Sequence, residues 1–168
     1  MKTVDIININ RLNTLLDVFH NSSHFDHKRY DPIASIREGV SKQNFPFAMM
    51  GVDDLSSGLF FYPEENKAKI TFCELIKTEL IKLAHHYYDN QIEDRVNLLF
   101  GVKDFNLNTA EILPAISYDE KNVLDPKKLE EAIVFFTKRD EHFDLVIVTI
   151  LEDIALLHKQ KSQYGKDA

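Results

Sequence analysis

The chain has 168 residues, of which 44% are apolar, including 12 Phe and 6 Tyr, and these large side chains are enough for the core of a folded domain. That composition excludes an intrinsically disordered chain. A formal net charge of −7 disfavours binding nucleic acid over the whole surface, because such binding depends mainly on Lys and Arg at phosphates. The single cysteine, Cys73, excludes an internal disulfide, so a reducing compartment fits best.

The sequence predicts neither a signal peptide nor a membrane-spanning helix. Asp5, Asn8 and Asn10 interrupt the first ten residues, which therefore lack the continuous apolar core of a signal peptide. The longest mostly apolar run, residues 145–151, is far shorter than the roughly 20 residues that a helix needs to span a bilayer. We therefore expect a cytoplasmic protein without membrane contact.

Two helices are predicted in the first quarter of the chain. The first follows Asn10, an acceptable N-cap, and ends near residues 21–23, where Asn and Ser favour caps or turns. Its apolar face has the i, i+3, i+4, i+7 spacing of Leu12, Leu15, Leu16 and Phe19. The second helix is predicted to start at Asp31 and Pro32, because Asp accepts from free N–H groups and Pro has no N–H to lose, and to stop at Gly39.

Strands and a hairpin are predicted between residues 45 and 72. A strand at 45–50 precedes a polar loop at 53–58, and the arms 59–62 and 67–72 meet across a turn at 63–66. In the second arm apolar and polar residues alternate, which is typical of a strand with one solvated face; the apolar ones are Ala68, Ile70 and Phe72.

Helices and strands are predicted to alternate over the rest of the chain. A broad apolar stripe indicates a helix over 74–90, and bulky residues favour strands at 96–102 and 111–117. Pro114 places the second of these strands at a sheet edge or a bulge.

The last quarter repeats the helix-start signal at Asp125 and Pro126. A β-branched run at 143–150 predicts a buried central strand, and an amphipathic helix over 152–163 precedes a tail that frays from about Tyr164. Paired strands among separated helices indicate an α+β fold. We predict a single domain over 1–168, with a mainly antiparallel or mixed sheet packed against about four to five helices.

Motifs of common enzymes and cofactor sites are missing. The five glycines are too far apart for a phosphate-binding loop, and no cofactor is expected. His20, His24 and His27 would share one side of a continuous helix and could bind zinc, but the Asn-Ser-Ser break favours surface or capping histidines. His85 and His86 are interpreted as a cap or a partly buried pair near the end of the long helix.

A nuclease-like outline is present in Asp54, Glu65 and Lys67, since two carboxylates can hold Mg²⁺ while Lys stabilises charge on a phosphate. The spacing is loose, and a solvated hairpin tip is the alternative that we favour.

Acidic residues flank an aromatic segment and form the candidate partner-binding site. Its members come from predicted loops and the first hairpin arm: Asp53, Asp54, Phe60, Tyr62, Glu64, Glu65, Asp119 and Glu120. Aromatic side chains would anchor a basic partner, and carboxylates would steer its approach. Ordinary solvated loops are the alternative.

These observations predict a non-catalytic protein-binding module that neutralises or escorts one cognate protein, as toxin-immunity proteins do. The alternatives are a secretion chaperone and a divalent-metal-dependent nuclease or hydrolase. An immunity protein requires an acidic surface for a basic partner, whereas a chaperone requires an exposed apolar surface and commonly a homodimer. The oligomeric state is left open.

Overall fold

All secondary-structure elements in the part of the chain that the structure describes are helices. This computed structural model describes residues 3–22, 31–57, 62–102, 125–141 and 144–164, and it contains six helices and no strand within those ranges. The helices are α1 Thr3–Ser22, α2 Pro32–Ser41, α3 Phe45–Ser56, α4 Lys67–Val102, α5 Pro126–Arg139 and α6 Asp144–Ser162. The predicted α+β class with a sheet core is therefore wrong.

Two compact units divide the chain: Met1–Tyr87 with Gly165–Ala168, and Tyr88–Tyr164. The boundary falls inside α4. The predicted single domain over 1–168 stays a prediction. None of the helices in the described ranges combines the length and the hydropathy that crossing a bilayer requires.

In the first unit, α1 confirms the predicted helix but begins earlier. It starts at Thr3, and Asn10 lies inside it, where its backbone carbonyl accepts a hydrogen bond from the Thr14 hydroxyl at 2.9 Å. The helix ends at Ser22, as predicted, and Leu12 and Leu16 of its apolar face are buried. Asn is a good N-cap but is also tolerated within a helix, so its presence did not locate the start.

The predicted start of α2 is confirmed in atomic detail. Asp31 is the N-cap, and its Oδ1 accepts from the backbone N–H groups of Ile33 at 3.0 Å and Ala34 at 3.3 Å. The predicted stop at Gly39 is wrong, because the helix continues to Ser41. Gly39 serves packing instead: a Cβ added there would lie 2.7 Å from the backbone nitrogen of Ala48.

The predicted strand at 45–50 and part of the polar loop at 53–58 form α3. Asn44 caps this helix by accepting from the Phe47 N–H at 3.2 Å, and Pro46 stands in its first turn. The buried residues are spaced for a helix, not for a strand: Phe45, Ala48, Gly51, Val52 and Leu55. A short apolar run does not distinguish a strand from a helix, and here the packing of α3 on α2 decides.

Residues 67–102 form one continuous helix, α4, so the hairpin arm at 67–72 and the strand at 96–102 are both wrong predictions. Tyr62 precedes a turn that leads into α4, while residues 59–61 and the predicted strand at 111–117 lie outside the described ranges. The helix predicted over 74–90 is confirmed as the middle of α4. Its apolar stripe is buried at Ile76, Leu80, Leu83 and Ala84.

The second unit contains the C-terminal part of α4 together with α5 and α6. Asp125 caps α5 as predicted, with Oδ1 accepting from the N–H of Lys127 at 3.0 Å and of Lys128 at 3.4 Å. Residues of α4, α5 and α6 share one core that includes Ile92, Leu99, Leu129, Phe136, Ile147, Leu151 and Ile154.

The predicted central strand at 143–150 is wrong, because residues 144–162 form the single helix α6. Ile147, Leu151 and Ile154 recur at helical spacing and are fully buried. The tail predicted to fray from about 164 is corrected at its first residue: Tyr164 is 8% exposed and packs on Tyr88 with ring centroids 5.8 Å apart. Residues 165–168 lie outside the described ranges.

Candidate protein-binding site

An exposed helical surface in the first unit carries an apolar side chain next to two carboxylates. We call Met50, Asp53 and Asp54 the outer face of α3. They stand at positions i, i+3 and i+4 and therefore share one side of the helix. Met50 is 62% exposed, and Asp53 and Asp54 are exposed as well.

The close packing of α2 against α3 determines which side of α3 faces solvent. Two glycines bring the helices together, because a Cβ at Gly39 would lie 2.7 Å from Ala48 Cβ, and one at Gly51 would lie 2.8 Å from Ile36 Cγ1. At the start of α3, Phe45 packs on Tyr87 of α4 with ring centroids 5.5 Å apart. Because Phe45, Ala48 and Gly51 of α3 are buried, the outer face of α3 lies on the solvent side.

No described residue compensates the charges on this face by an ion pair. Among the described residues neither Asp53 nor Asp54 has an ion-pair partner, whereas the exposed Glu38 on α2 pairs with Lys42 at 2.6 Å. Both aspartates lie in the last turn of α3, which contains no basic residue. Carboxylates at a helix C-terminus oppose the helix dipole, so these two side chains do not contribute to the stability of α3.

The structure places the other predicted partner-binding residues on different segments. Tyr62 is 65% exposed, and Glu64 and Glu65 are exposed in the turn that leads into α4. No described contact joins them to the outer face of α3. Phe60, Asp119 and Glu120 lie outside the described residues, so their part in the site stays a prediction.

The sequence analysis did not include Met50 in the candidate site, since it assigned this residue to a strand. The spacing of Met50, Asp53 and Asp54 was visible in the sequence. It becomes informative only when the segment is known to be a helix.

The nuclease-like residues lie on separate elements. Asp54 is in α3, Glu65 is in the following turn, and Lys67 is the first residue of α4. The favoured alternative, a hairpin tip, is wrong because no hairpin forms there. Within the described ranges, no group of three or more His, Cys, Asp or Glu residues is arranged to hold a metal ion.

The histidine predictions have different outcomes. His20 belongs to α1, and His24 and His27 lie outside the described residues, so the zinc hypothesis is untested. His85 and His86 lie in the middle of α4 and not near its end, so the interpretation as a C-terminal cap is wrong. Both are partly buried there, which agrees with the other interpretation of this pair.

The environment of Cys73 does not favour nucleophilic chemistry. Burial, with the nearby Glu74 carboxylate adding to it, raises the pKa of Cys73 to about 11. The reactive form of cysteine is the thiolate, so a thiol with this pKa is almost fully protonated at neutral pH. Cys73 is 4% exposed and belongs to the core.

A buried carboxylate at the start of α6 has a structural role. Asp144 is 1% exposed, and the Arg139 guanidinium donates to it twice, from Nε at 2.9 Å and from Nη2 at 2.6 Å. These hydrogen bonds, aided by the N–H of Glu141 at 2.7 Å, lower the pKa of Asp144 although burial opposes them. The arrangement joins the last residue of α5 to the first residue of α6.

Comparisons with known proteins assign no family to this fold or site. No protein-family model matches the chain, and no curated protein or solved structure shows significant similarity to it.

Proposed function

We propose that this protein is a non-catalytic binding module that neutralises a basic cognate protein, as toxin-immunity proteins do. The partner docks on the outer face of α3, where Met50 supplies apolar contact and Asp53 and Asp54 pair with Lys or Arg. The observation that carries the proposal is the pair of exposed carboxylates in the last helical turn, neither of which forms an ion pair with another described residue.

The placement of these charges supports a binding role more than a structural one. Negative side chains at a helix C-terminus act against folding, so a use outside the chain accounts for them better than helix stability does. The neighbouring Met50 is a flexible, polarisable side chain that adapts to the surface of a partner. The net charge of −7 adds long-range attraction for a basic protein.

Affinity capture from the native cells, with the tagged full chain, tests the proposal. We compare the wild type with the double variant Asp53→Asn/Asp54→Asn and with Met50→Ala. We expect the wild type to capture a basic partner in stoichiometric amount. The double variant is expected to lose most of this partner, and Met50→Ala is expected to retain less of it than the wild type does. Binding through carboxylates is also expected to decline as salt is raised.

A matched control is available on α5, where Glu130 and Glu131 form another exposed, adjacent acidic pair. Glu130→Gln/Glu131→Gln removes the same net charge at a different place. If both double variants reduce capture equally, only net charge matters and the proposed site is wrong. Retention of the partner by Asp53→Asn/Asp54→Asn contradicts it directly.

Neutralisation requires a second measurement, because a chaperone would also capture its client. The captured partner is expressed alone and together with this protein, and growth of the host is followed. We expect the partner alone to inhibit growth and co-expression of the wild type to restore it. A partner that is harmless alone but secreted less efficiently without this protein would support the escort alternative instead.

A further inference from the structure

A cluster of polar side chains ends the buried stripe of α6 in the second unit. Ile147, Leu151 and Ile154 form that stripe and are fully buried, and the next positions on the same side are His158 and Lys161. His158 and Lys161 thus continue the buried side of α6. They place two basic side chains where α6 packs on α4.

The neighbouring helix α4 supplies one carboxylate to this cluster. Asp89 Oδ1 lies 2.7 Å from Lys161 Nζ, and this ion pair joins the two helices. The Lys161 side chain is 21% exposed and that of Asp89 is 44% exposed. Among the described residues, Asp89 is thus paired with Lys161, and a positive charge at His158 would have to share this carboxylate with Lys161.

A second contact with α4 follows Lys161 in the chain. Tyr164, just after the end of α6, packs on Tyr88 of α4 with ring centroids 5.8 Å apart, and the two side chains are hydrogen-bonded. Burial raises the pKa of the Tyr164 hydroxyl, so this phenol is neutral at any physiological pH. Among the described residues, the charges that act on His158 are those of Lys161, on its own helix, and Asp89, on α4.

We propose that residues 158–164 form a pH-sensitive clasp, in which protonation of His158 adds a second cation beside Lys161 and loosens the end of α6 from α4. The neutral imidazole packs without charge, whereas the imidazolium either repels Lys161 or competes with it for Asp89. Both outcomes weaken the contact that holds Tyr164 against Tyr88. This inference does not depend on the proposed partner site, which lies in the other unit.

The direction of the pH effect follows from linkage. Burial, followed by the charge of Lys161, lowers the pKa of His158 in the folded protein, and Asp89 opposes this only in part. The unfolded or detached segment then binds a proton more readily than the docked one. Docking is at full strength above the ordinary histidine pKa of about 6.5 and weakens as the pH falls from there toward the folded value.

Two measurements on the full chain test the clasp. The first is an NMR titration of the His158 ring, which is expected to give a pKa below that of a free histidine and to rise in Lys161→Met. The second is amide hydrogen exchange, expressed as protection factors so that the intrinsic pH dependence is removed. In the wild type we expect protection of residues 158–164 to be lost between pH 7 and pH 5 while α2 and α3 keep theirs.

The decisive variant is His158→Gln, which cannot be protonated in this range. We expect it to keep protection of 158–164 at pH 5, and the matched control His86→Gln on α4 to lose it as the wild type does. Equal loss in the wild type and His158→Gln would overturn the proposal. A His158 ring that titrates at or above the free value would do so independently.

Discussion

Replacing Gly39 with Ala tests the close packing of α2 on α3 that leaves Met50, Asp53 and Asp54 on the solvent side. Two effects of opposite sign compete. Ala is preferred over Gly inside a helix by about 1 kcal/mol, so an unrestrained position would gain stability. At Gly39, however, the added Cβ would lie 2.7 Å from both N and Cβ of Ala48 and 2.9 Å from its Cα.

The clash is expected to exceed the gain in helix propensity. Two of the three nearest atoms belong to the backbone of α3, so no side-chain rotation removes the overlap, and the helices must separate. Overpacking of this kind typically costs 1–3 kcal/mol, and we place this case near the upper end of about 3 kcal/mol. The expected net destabilisation is therefore about 2 kcal/mol, or roughly 4–8 °C in Tm for a chain of this size.

Urea and thermal unfolding followed by circular dichroism provide the assay, and Gly101→Ala is the matched control. Gly101 is also helical, near the end of α4, but an added Cβ there meets no atom of the described residues within 4 Å. We expect Gly101→Ala to be neutral or to stabilise by up to about 0.5 kcal/mol. If Gly39→Ala stabilises the protein as an open helical site would, the described packing of α2 and α3 is refuted.

Further predictions concern charges and the thiol. Asp144→Asn removes the charged partner of Arg139, and we expect a loss of about 2 kcal/mol at pH 7, since Arg139 is partly exposed. The pKa of Asp144 is lowered in the folded protein, so its contribution is present above the ordinary Asp pKa of about 3.9. Urea titrations should therefore show the difference from wild type shrinking as the pH falls further, and a constant difference would contradict the assignment. Cys73 should react with a thiol reagent only slowly in the native protein and rapidly in urea, whereas fast native labelling would mean that its burial is wrong. Asp53→Asn/Asp54→Asn should raise stability slightly, by about 0.3–1 kcal/mol, and a clear loss would assign these residues a structural role.

The two Asp-Pro segments show what can be predicted from neighbouring residues. Asp31 and Asp125 cap α2 and α5 as predicted, because an N-cap bonds to N–H groups only two and three residues away. Such a signal is complete within one helical turn. The end of α1 at Ser22 was likewise predicted from a short polar cluster.

The strand predictions failed where the deciding contacts are distant in sequence. The run at 143–150 is β-branched and suits a buried strand, but Ile147, Leu151 and Ile154 also have helical spacing, and their burial with residues of α4 and α5 selects the helix. The alternation at 67–72 is equally compatible with the first turns of a long helix. Propensity of this kind is a weak preference that tertiary packing overrides.

By itself, the sequence determined the starts of α2 and α5, the end of α1, most of the apolar positions and the excess of negative charge, since these depend on composition or on contacts within a few residues. Tertiary structure decided the class of fold, the exposed position of Met50 beside Asp53 and Asp54, and the packing role of Gly39. It also brought Asp89 to Lys161 at the end of the stripe that contains His158. These features depend on which helix faces which, and that choice is made by burial and close packing between segments that are far apart along the chain.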